Sequence, residues 1–338
     1  MSSDVSTDKV AGSKIAAKKI LVTGVAGFIG SNLAAKLLEY DHEVIGLDNL
    51  SYGFERNIEK LKCHKNFKFI IGDIANPFIL KDIKADIIVH LASQKIPRYS
   101  TALRTLDENF LMVKNIVNKC IMDKSKIVFA STSDVYGRNP KMPVNEESEF
   151  VIGSSTSKRW SYATSKIYGE QYIIANHEEY GFDYTIVRFF GSYGPNQNLT
   201  WWGGPQSVFI TNALHDKPIE IHGDGKQTRT FTFIEDTVSA LVKCILDDKA
   251  NNEIFNIGSF QDEEISIIDL ASLIWKLVNG EKSVPKINFI PYSTFGKYED
   301  VMRRVPDISK IQKYFNYEPK FRLAEGLEIT IKWQKPLV

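Results

Sequence analysis

Lys19-Ile-Leu-Val-Thr-Gly24-Val-Ala-Gly27-Phe-Ile-Gly30 decides the fold of this chain. The first five residues are an apolar, largely β-branched run of strand length. The glycines after it are spaced three and three, ahead of a helical pattern over residues 28 to 40. A strand that turns through glycines into a helix lets backbone approach a pyrophosphate: the glycines permit the tight turn, clear the ligand's path of side chains and pack helix on strand. The same spacing also serves an ordinary β-α turn, so the neighbouring sequence has to decide between the two.

Outward from this turn, residues 43–47, 67–71, 86–90, 126–130 and 184–188 repeat the short apolar pattern of buried parallel strands. Helical patterns at 103–123 and 161–180 lie between them. This β-α-β order predicts an α/β fold with a Rossmann-type doubly wound parallel sheet, which binds ligands beyond the carboxyl ends of its strands. Gly24, Asp48, Ala92 and Ser131 to Ser133 all fall there. Asp48 ends the second strand, where a carboxylate accepts hydrogen bonds from an adenosine ribose and repels a 2′-phosphate, so NAD is expected rather than NADP. Phe28 and Ile29 in the turn, Asp73 with Ile74 after the third strand, and Leu91 with Ala92 after the fourth are the further cofactor candidates.

After residue 191 the pattern breaks into Gly-, Pro- and Trp-containing segments such as Trp201-Trp-Gly-Gly-Pro205, which read as a smaller C-terminal α/β lobe. A strand-like run at 253–257 returns to the sheet. The expected division is a flexible tail at 1–17, the dinucleotide domain at 18–190 plus 231–258, and the second lobe at 191–230 plus 259–338. Trp201 and Trp202 either stack on a base or fill that lobe, and filling is favoured.

Lys and Arg number 42 against 41 Asp and Glu, interspersed to a formal net charge of +1, so no basic stripe exists to neutralise a nucleic-acid backbone. No apolar run approaches the roughly 18 residues that a membrane span needs. Cys63, Cys120 and Cys244 stand outside any metal-binding or disulfide spacing. A cytoplasmic protein with reduced thiols, no metal, no membrane contact and no nucleic-acid partner is expected.

Tyr162 and Lys166 are spaced i, i+4, which puts a phenol and an ammonium on one helix face. Acting as a base at neutral pH requires a downward shift of roughly 3 units, or about 4 kcal/mol, which a nearby cation can supply. Chance also places such pairs on amphipathic helices. The run Ser131-Thr132-Ser133-Asp134, leaving the fifth strand, adds hydroxyls and a carboxylate at the crevice. Hydroxyls there can hold a substrate alcohol while Tyr162 removes its proton and the nicotinamide takes its hydride.

With these motifs in order, the chain from residue 18 onward resembles the extended short-chain dehydrogenase/reductase family, specifically its NAD-dependent nucleotide-sugar epimerases, dehydratases and decarboxylases. The matching residues include the glycine triplet, Asp48, His90-Leu-Ala92, Asp107-Glu-Asn109, Ser131-Thr-Ser-Asp-Val-Tyr-Gly137, Tyr162 with Lys166, Arg188-Phe-Phe-Gly-Ser-Tyr-Gly-Pro195 and Gly223-Asp-Gly-Lys-Gln-Thr-Arg229. The resemblance implies a UDP-sugar or other nucleotide sugar in the second lobe. Thr132 and Ser133 would bind the sugar's C4 hydroxyl and Tyr162 would be the base. Lys166 would bind the nicotinamide ribose and lower the Tyr162 pKa. Arg229 looks like the family's pyrophosphate arginine, with Arg304 as another, and Arg98 sits where hexuronate enzymes carry an arginine near the sugar. Relatives usually pair as homodimers through the helices at 103–123 and 161–180. Gly191 departs from the family, standing where most relatives have an asparagine that contacts substrate.

Oxidation at C4 is the step these enzymes share, and the fate of the 4-keto sugar separates them. A UDP-sugar 4-epimerase, on a hexose or hexuronate, is the favoured reading, ahead of a UDP-glucuronate decarboxylase and an NDP-sugar 4,6-dehydratase. Asp134 bears on the choice, because decarboxylases and some dehydratases carry Thr-Ser-Glu there. An aspartate is shorter by one methylene, about 1.5 Å, on a scale where misplacement can cost a hundredfold in rate. The segments around Val151 and Lys158-Arg-Trp-Ser-Tyr162 also look like the decarboxylase of the lipid A aminoarabinose pathway. A non-catalytic NAD-binding protein is the alternative from another class, and intact Thr132, Tyr162 and Lys166 argue against it.

Overall fold

The computed structural model describes residues 16–95, 101–295 and 299–338, so the expected tail lies almost wholly outside the described residues, as does Arg98. The first half runs β1 (Lys19–Thr23), α1 (Phe28–Glu39), β2 (Glu43–Asp48), β3 (Phe67–Ile71), β4 (Ile87–His90), α2 (Ala102–Asp123), β5 (Lys126–Thr132), α3 (Ser161–Tyr180) and β6 (Tyr184–Phe189). There follow β7 (Ser192–Tyr193), α4 (Pro205–Leu214), β8 (Ile219–His222), β9 (Thr228–Arg229), β10 (Thr232–Phe233), α5 (Ile234–Leu246) and β11 (Glu253–Ile257). The chain ends with β12 (Ile265–Ser266), α6 (Ile267–Asn279), β13 (Ile287–Ile290), β14 (Arg303–Arg304), α7 (Ser309–Phe315) and α8 (Leu323–Gln334).

Seven strands form one parallel sheet in the order β11-β6-β5-β4-β1-β2-β3. Successive side chains of a strand point to opposite faces, and here both faces are covered, which is why the strands read as unbroken apolar runs. In β1, Ile20 and Val22 join the core beneath Leu33 and Leu37 of α1, while Leu21 joins the opposite core with Ile116 and Val117 of α2. Each such fully buried side chain contributes roughly 1.5–3 kcal/mol. The chain reverses direction across the sheet between β1 and β4, the position at which a doubly wound sheet opens its crevice.

The run at 253–257 returns as β11, in register with β6 through Ile254 against Ile186 and Phe255 against Val187. The later elements build three small sheets among the described residues, the parallel pairs β7–β10 and β8–β13 and the set β12-β9-β14. Their apolar residues, including Ile219, Ile221 and Trp275, belong to the same continuous core as β1 and α1.

One glycine sets the height of the site helix. A Cβ on Gly169 of α3 would lie 2.5 Å from Phe129 Cζ of β5. Its absence lets α3 settle on the strand, bringing the face that carries Tyr162 and Lys166 down to the end of β5.

Candidate active site

A cavity of about 1100 Å³ opens at the carboxyl ends of the central strands and extends under the C-terminal elements. That exceeds the roughly 300–1,000 Å³ of a typical single-ligand pocket. Its inner half is built from the glycine turn. Gly24 adopts φ +72°, and a Cβ on Gly30 would lie 2.2 Å from Gly24 O, so the turn closes only without side chains there. Helix α1 starts at Gly27 with no capping side chain and no acidic residue in its first turn. Its N-terminal N–H groups and positive dipole end therefore border the cavity uncancelled, which suits a pyrophosphate. Gly27, Phe28, Ile29, Ile74, Leu91 and Ala92 all line this half.

Asp48 closes it. Its carboxylate accepts from Ala26 N at 2.9 Å and Leu50 N at 2.8 Å, tying the glycine turn to the end of β2. Burial pushes its pKa up, opposed by these two N–H groups. Asp73 accepts from Ala75 N at 2.8 Å and from Asn49 Nδ2 at 3.0 Å, and both carboxylates line the cavity. Uncancelled helix N–H groups, glycines at 24, 27 and 30 whose Cβ atoms would clash, and a carboxylate at the end of β2 together fit a dinucleotide.

In the middle of the cavity Tyr162, Lys166, Thr132, Ser133 and Asp134 come together. The Tyr162 phenol has the hydroxyls of Ser93 and Thr132 beside it, and both favour its ionised form. Ser93 is positioned by Asn109 of α2, whose amide accepts from Ser93 Oγ at 3.3 Å and from Gln94 N at 2.8 Å and donates to Ser165 Oγ at 2.9 Å. Lys166 Nζ donates to Ala130 O at 2.7 Å and lies 5.9 Å from the Tyr162 ring centre. Burial pushes the phenol pKa up, as does the Asp134 charge, against the Ser93 and Thr132 hydroxyls and the charge of Arg159. Burial also pushes Lys166 down, to about 7, with Glu170 opposing. Lys166, expected to lower the phenol, is not among the groups that move it here, and burial of the phenol itself is the largest influence.

Asp134 leads a 3₁₀ turn, Ser133–Tyr136, directly after β5, and Thr132 Oγ1 caps it by accepting from Asp134 N at 3.2 Å. Its carboxylate is clamped by two guanidiniums: Arg159 Nη2 at 2.8 Å and Arg304 Nη2 at 2.5 Å, both to Oδ1. Burial works against its ionisation, yet Arg159, Arg304 and Arg229 hold the carboxyl far below the usual range. Arg304 Nη1 also lies 3.5 Å from Ser133 Oγ. Arg229 pairs with Asp300 at 3.3 Å and is pushed down to about 10 by burial and then by Arg304. Three arginines therefore converge on one wall against two carboxylates, leaving an excess of positive charge for an anionic ligand.

Gly191 borders the same wall with φ +39°, and a Cβ there would lie 2.7 Å from Thr230 O. The position where the family resemblance implies an asparagine is thus crowded by backbone. Trp201 stacks on His222 at 4.5 Å and meets Phe209 edge-on at 6.2 Å, so it fills the interior while still bordering the cavity. Trp202 stands at the mouth, 4.0 Å from the Tyr52 ring and accepting from Lys95 Nζ at 2.6 Å.

Every site residue expected from the sequence and lying within the described residues borders this one cavity. Arg159, Ser93, Lys95 and Asp300 also border it and were not singled out in the sequence. Arg159 alone carried a signal, three positions ahead of Tyr162. The others reach the site through loops whose course no local pattern fixes.

A model of the NAD dependent epimerase/dehydratase family matches residues 20–258. UDP-N-acetyl-alpha-D-glucosaminuronate decarboxylase of Bacillus cytotoxicus is 33% identical over 320 residues, 94% of this chain and 97% of that protein. UDP-glucuronic acid decarboxylase 1 of Xenopus tropicalis is 33% identical over 94% of this chain and 72% of that protein. Among solved structures, UDP-glucuronic acid 4-epimerase from Bacillus cereus, in complex with UDP-glucuronic acid and NAD, superposes with a TM-score of 0.83 at 30% identity, covering 95% of this chain and all of that one.

Proposed function

We propose, for a chain that belongs to the NAD dependent epimerase/dehydratase family of UDP-sugar enzymes, that the reaction is C4 oxidation of a UDP-hexuronate followed by loss of its carboxyl group. The observation that carries this reading is Asp134 clamped between Arg159 and Arg304 in the cavity that holds Tyr162. Guanidiniums on that wall suit a sugar carboxylate, and a carboxyl beside them can serve proton transfer at C5. A 4-epimerase of the same acidic sugar also has a use for the guanidiniums, but needs no proton at C5. Two relatives that act as decarboxylases of UDP-hexuronates support the same choice.

The glycine turn, the α1 N-terminus and Asp48 hold NAD, which when bound supplies a reversible hydride acceptor. Thr132 and Ser93 orient the C4 hydroxyl toward Tyr162, which takes its proton. The resulting ketone is β to the C6 carboxylate, so cleavage of C5–C6 releases carbon dioxide and leaves the electron pair delocalised into the ketone as an enolate. An arriving hexuronate carboxylate competes with Asp134 for Arg159 and Arg304. Once it takes them, Asp134 loses the cations that keep it ionised and can carry the proton that C5 requires. Arg229 serves the diphosphate in this reading.

A second reading, 4-epimerisation of the same acidic sugar, is favoured by one feature: Asp134 is shorter than the glutamate of the Thr-Ser-Glu pattern. Incubating the purified protein with UDP-glucuronate, UDP-glucose and dTDP-glucose, followed by mass analysis, separates the outcomes. Loss of carbon dioxide from UDP-glucuronate alone supports decarboxylation, an isomer of unchanged mass supports epimerisation, and loss of water from a neutral sugar contradicts both.

A further inference from the structure

We propose that Glu170 is a positioning residue of the reaction: fixed by Arg188 and Ser131 one helical turn beyond Lys166, its carboxylate keeps the Lys166 ammonium charged and turned toward the cavity, and so supports the Tyr162 phenolate. The inference rests on the reading of Tyr162 as the base and Lys166 as its cation.

Tyr162, Lys166 and Glu170 follow one another at i, i+4 and i+8 on α3, and all three are buried. They therefore share one face, pressed on the end of β5. Lys166 donates to Ala130 O at 2.7 Å, and Glu170 is bound one residue further along the same strand, accepting from Ser131 Oγ. Arg188 of β6 grips the carboxylate with both arms, Nε to Oε1 at 3.0 Å and Nη2 to Oε2 at 2.7 Å. Arg188 is itself braced, donating from Nη1 to Tyr136 Oη at 2.9 Å and to Glu146 O at 2.8 Å. A carboxylate whose oxygens are engaged in this way supplies its field to Lys166 without capturing the ammonium. The ammonium stays directed at Ala130 O and the cavity.

The other charged groups around Lys166 do not replace Glu170. His90 on β4 is pushed down to about 3 by burial and then by Lys166, so it is neutral at working pH. Asp134, beyond β5, and Glu108 on α2 border the same cavity, but neither is among the charges that act on Lys166, where Glu170 is. Arg188 is a cation and Tyr162 is neutral until it acts. Burial alone drives Lys166 toward its neutral form, and Glu170 is the influence that opposes it. An amine without charge cannot lower the pKa of a neighbouring phenol.

The test compares wild type, Glu170→Gln and the double variant Glu170→Gln/Arg188→Gln, in which no unpaired guanidinium is left buried. The rate of reduced-nicotinamide formation on mixing with UDP-glucuronate is followed from about pH 6 to about pH 9.5, and thermal unfolding is recorded alongside. In both variants the alkaline limb of the rate profile is expected to move down by at least about one pH unit, with a loss of at least about tenfold at pH 8. The double variant is expected to regain thermal stability without regaining the profile. In nucleotide-free protein, the carbon-13 resonance of the Lys166 ε-carbon is expected to titrate at least about one unit lower in the double variant than in wild type. Recovery of both profile and resonance in the double variant overturns the proposal and leaves Glu170 a structural residue. If wild type forms no reduced nicotinamide with any UDP-hexuronate, the catalytic reading fails, while the resonance still decides whether Glu170 governs Lys166.

Discussion

Arg304 and Asp134 meet at 2.5 Å, although one comes from β14 near the end of the chain and the other from the turn after β5. The contact ties the C-terminal elements to the strand end that carries Thr132 and Ser133. A substrate anion entering between them changes the charge on the reacting centre and the hold on that wall together.

Asp134→Asn keeps the shape and removes the carboxyl. C4 oxidation and the first release of carbon dioxide are expected to continue, while protonation at C5, and with it formation of the decarboxylated nucleotide product, falls by roughly 10²–10⁴-fold, the usual contribution of a general acid. In a single turnover carbon dioxide should then appear faster than the C5-protonated product, a difference that gas-phase mass analysis and proton resonance measure in parallel. Equal loss of both signals would assign Asp134 to binding instead.

Tyr162→Phe deletes the phenolic oxygen and leaves the ring packed. The turnover rate is expected to fall by roughly 10²–10⁴-fold, while NAD affinity by calorimetry stays within a few-fold. Retained turnover would place the base elsewhere.

Asp48→Asn removes the charge but leaves an acceptor for Ala26 N. Without its repulsion of a 2′-phosphate, the ratio of NADP to NAD affinity is expected to rise by about tenfold or more. Titration of both nucleotides against the two proteins checks it.

Lys166 sets a pH dependence of stability. Its folded pKa, about 7, lies below the ordinary 10.5, so between those values the unfolded chain binds the extra proton. The burden of burying the ammonium is full below the folded pKa and is relieved as pH rises through this window. Urea unfolding of nucleotide-free wild type, taken relative to Lys166→Met, is expected to gain up to about 1.4 kcal/mol per pH unit from about pH 7 to about pH 10. A flat difference would show that Lys166 is not desolvated.

The sheet was legible in the sequence because the central strands are buried on both faces: runs such as Ile20-Leu-Val22 and Ile127-Val-Phe129 have to be apolar at nearly every position. Gly24, Gly27, Gly30 and the Tyr162–Lys166 pair were legible because their function depends on local spacing. Asp134 was legible as a residue but not as an ion-paired one, since Arg159 and Arg304 approach it from other segments. Ser93 and Asp300 were not legible, because they sit in irregular loops positioned by contacts from distant segments, such as those of Asn109 with Ser93 and of Arg229 with Asp300. The expected 4-epimerase rested on family resemblance, which does not register how Asp134 is bound.

The central claim is that a hexuronate oxidised at C4 loses its carboxyl group and is reprotonated at C5. Incubating the purified protein with UDP-glucuronate and NAD in heavy water tests it in one experiment, read by mass and by proton resonance of the nucleotide product. The expected result is a UDP-pentose or its 4-keto form, lighter by carbon dioxide and carrying deuterium at C5. A product that retains its carboxylate, whether epimerised at C4 or unchanged, contradicts the claim.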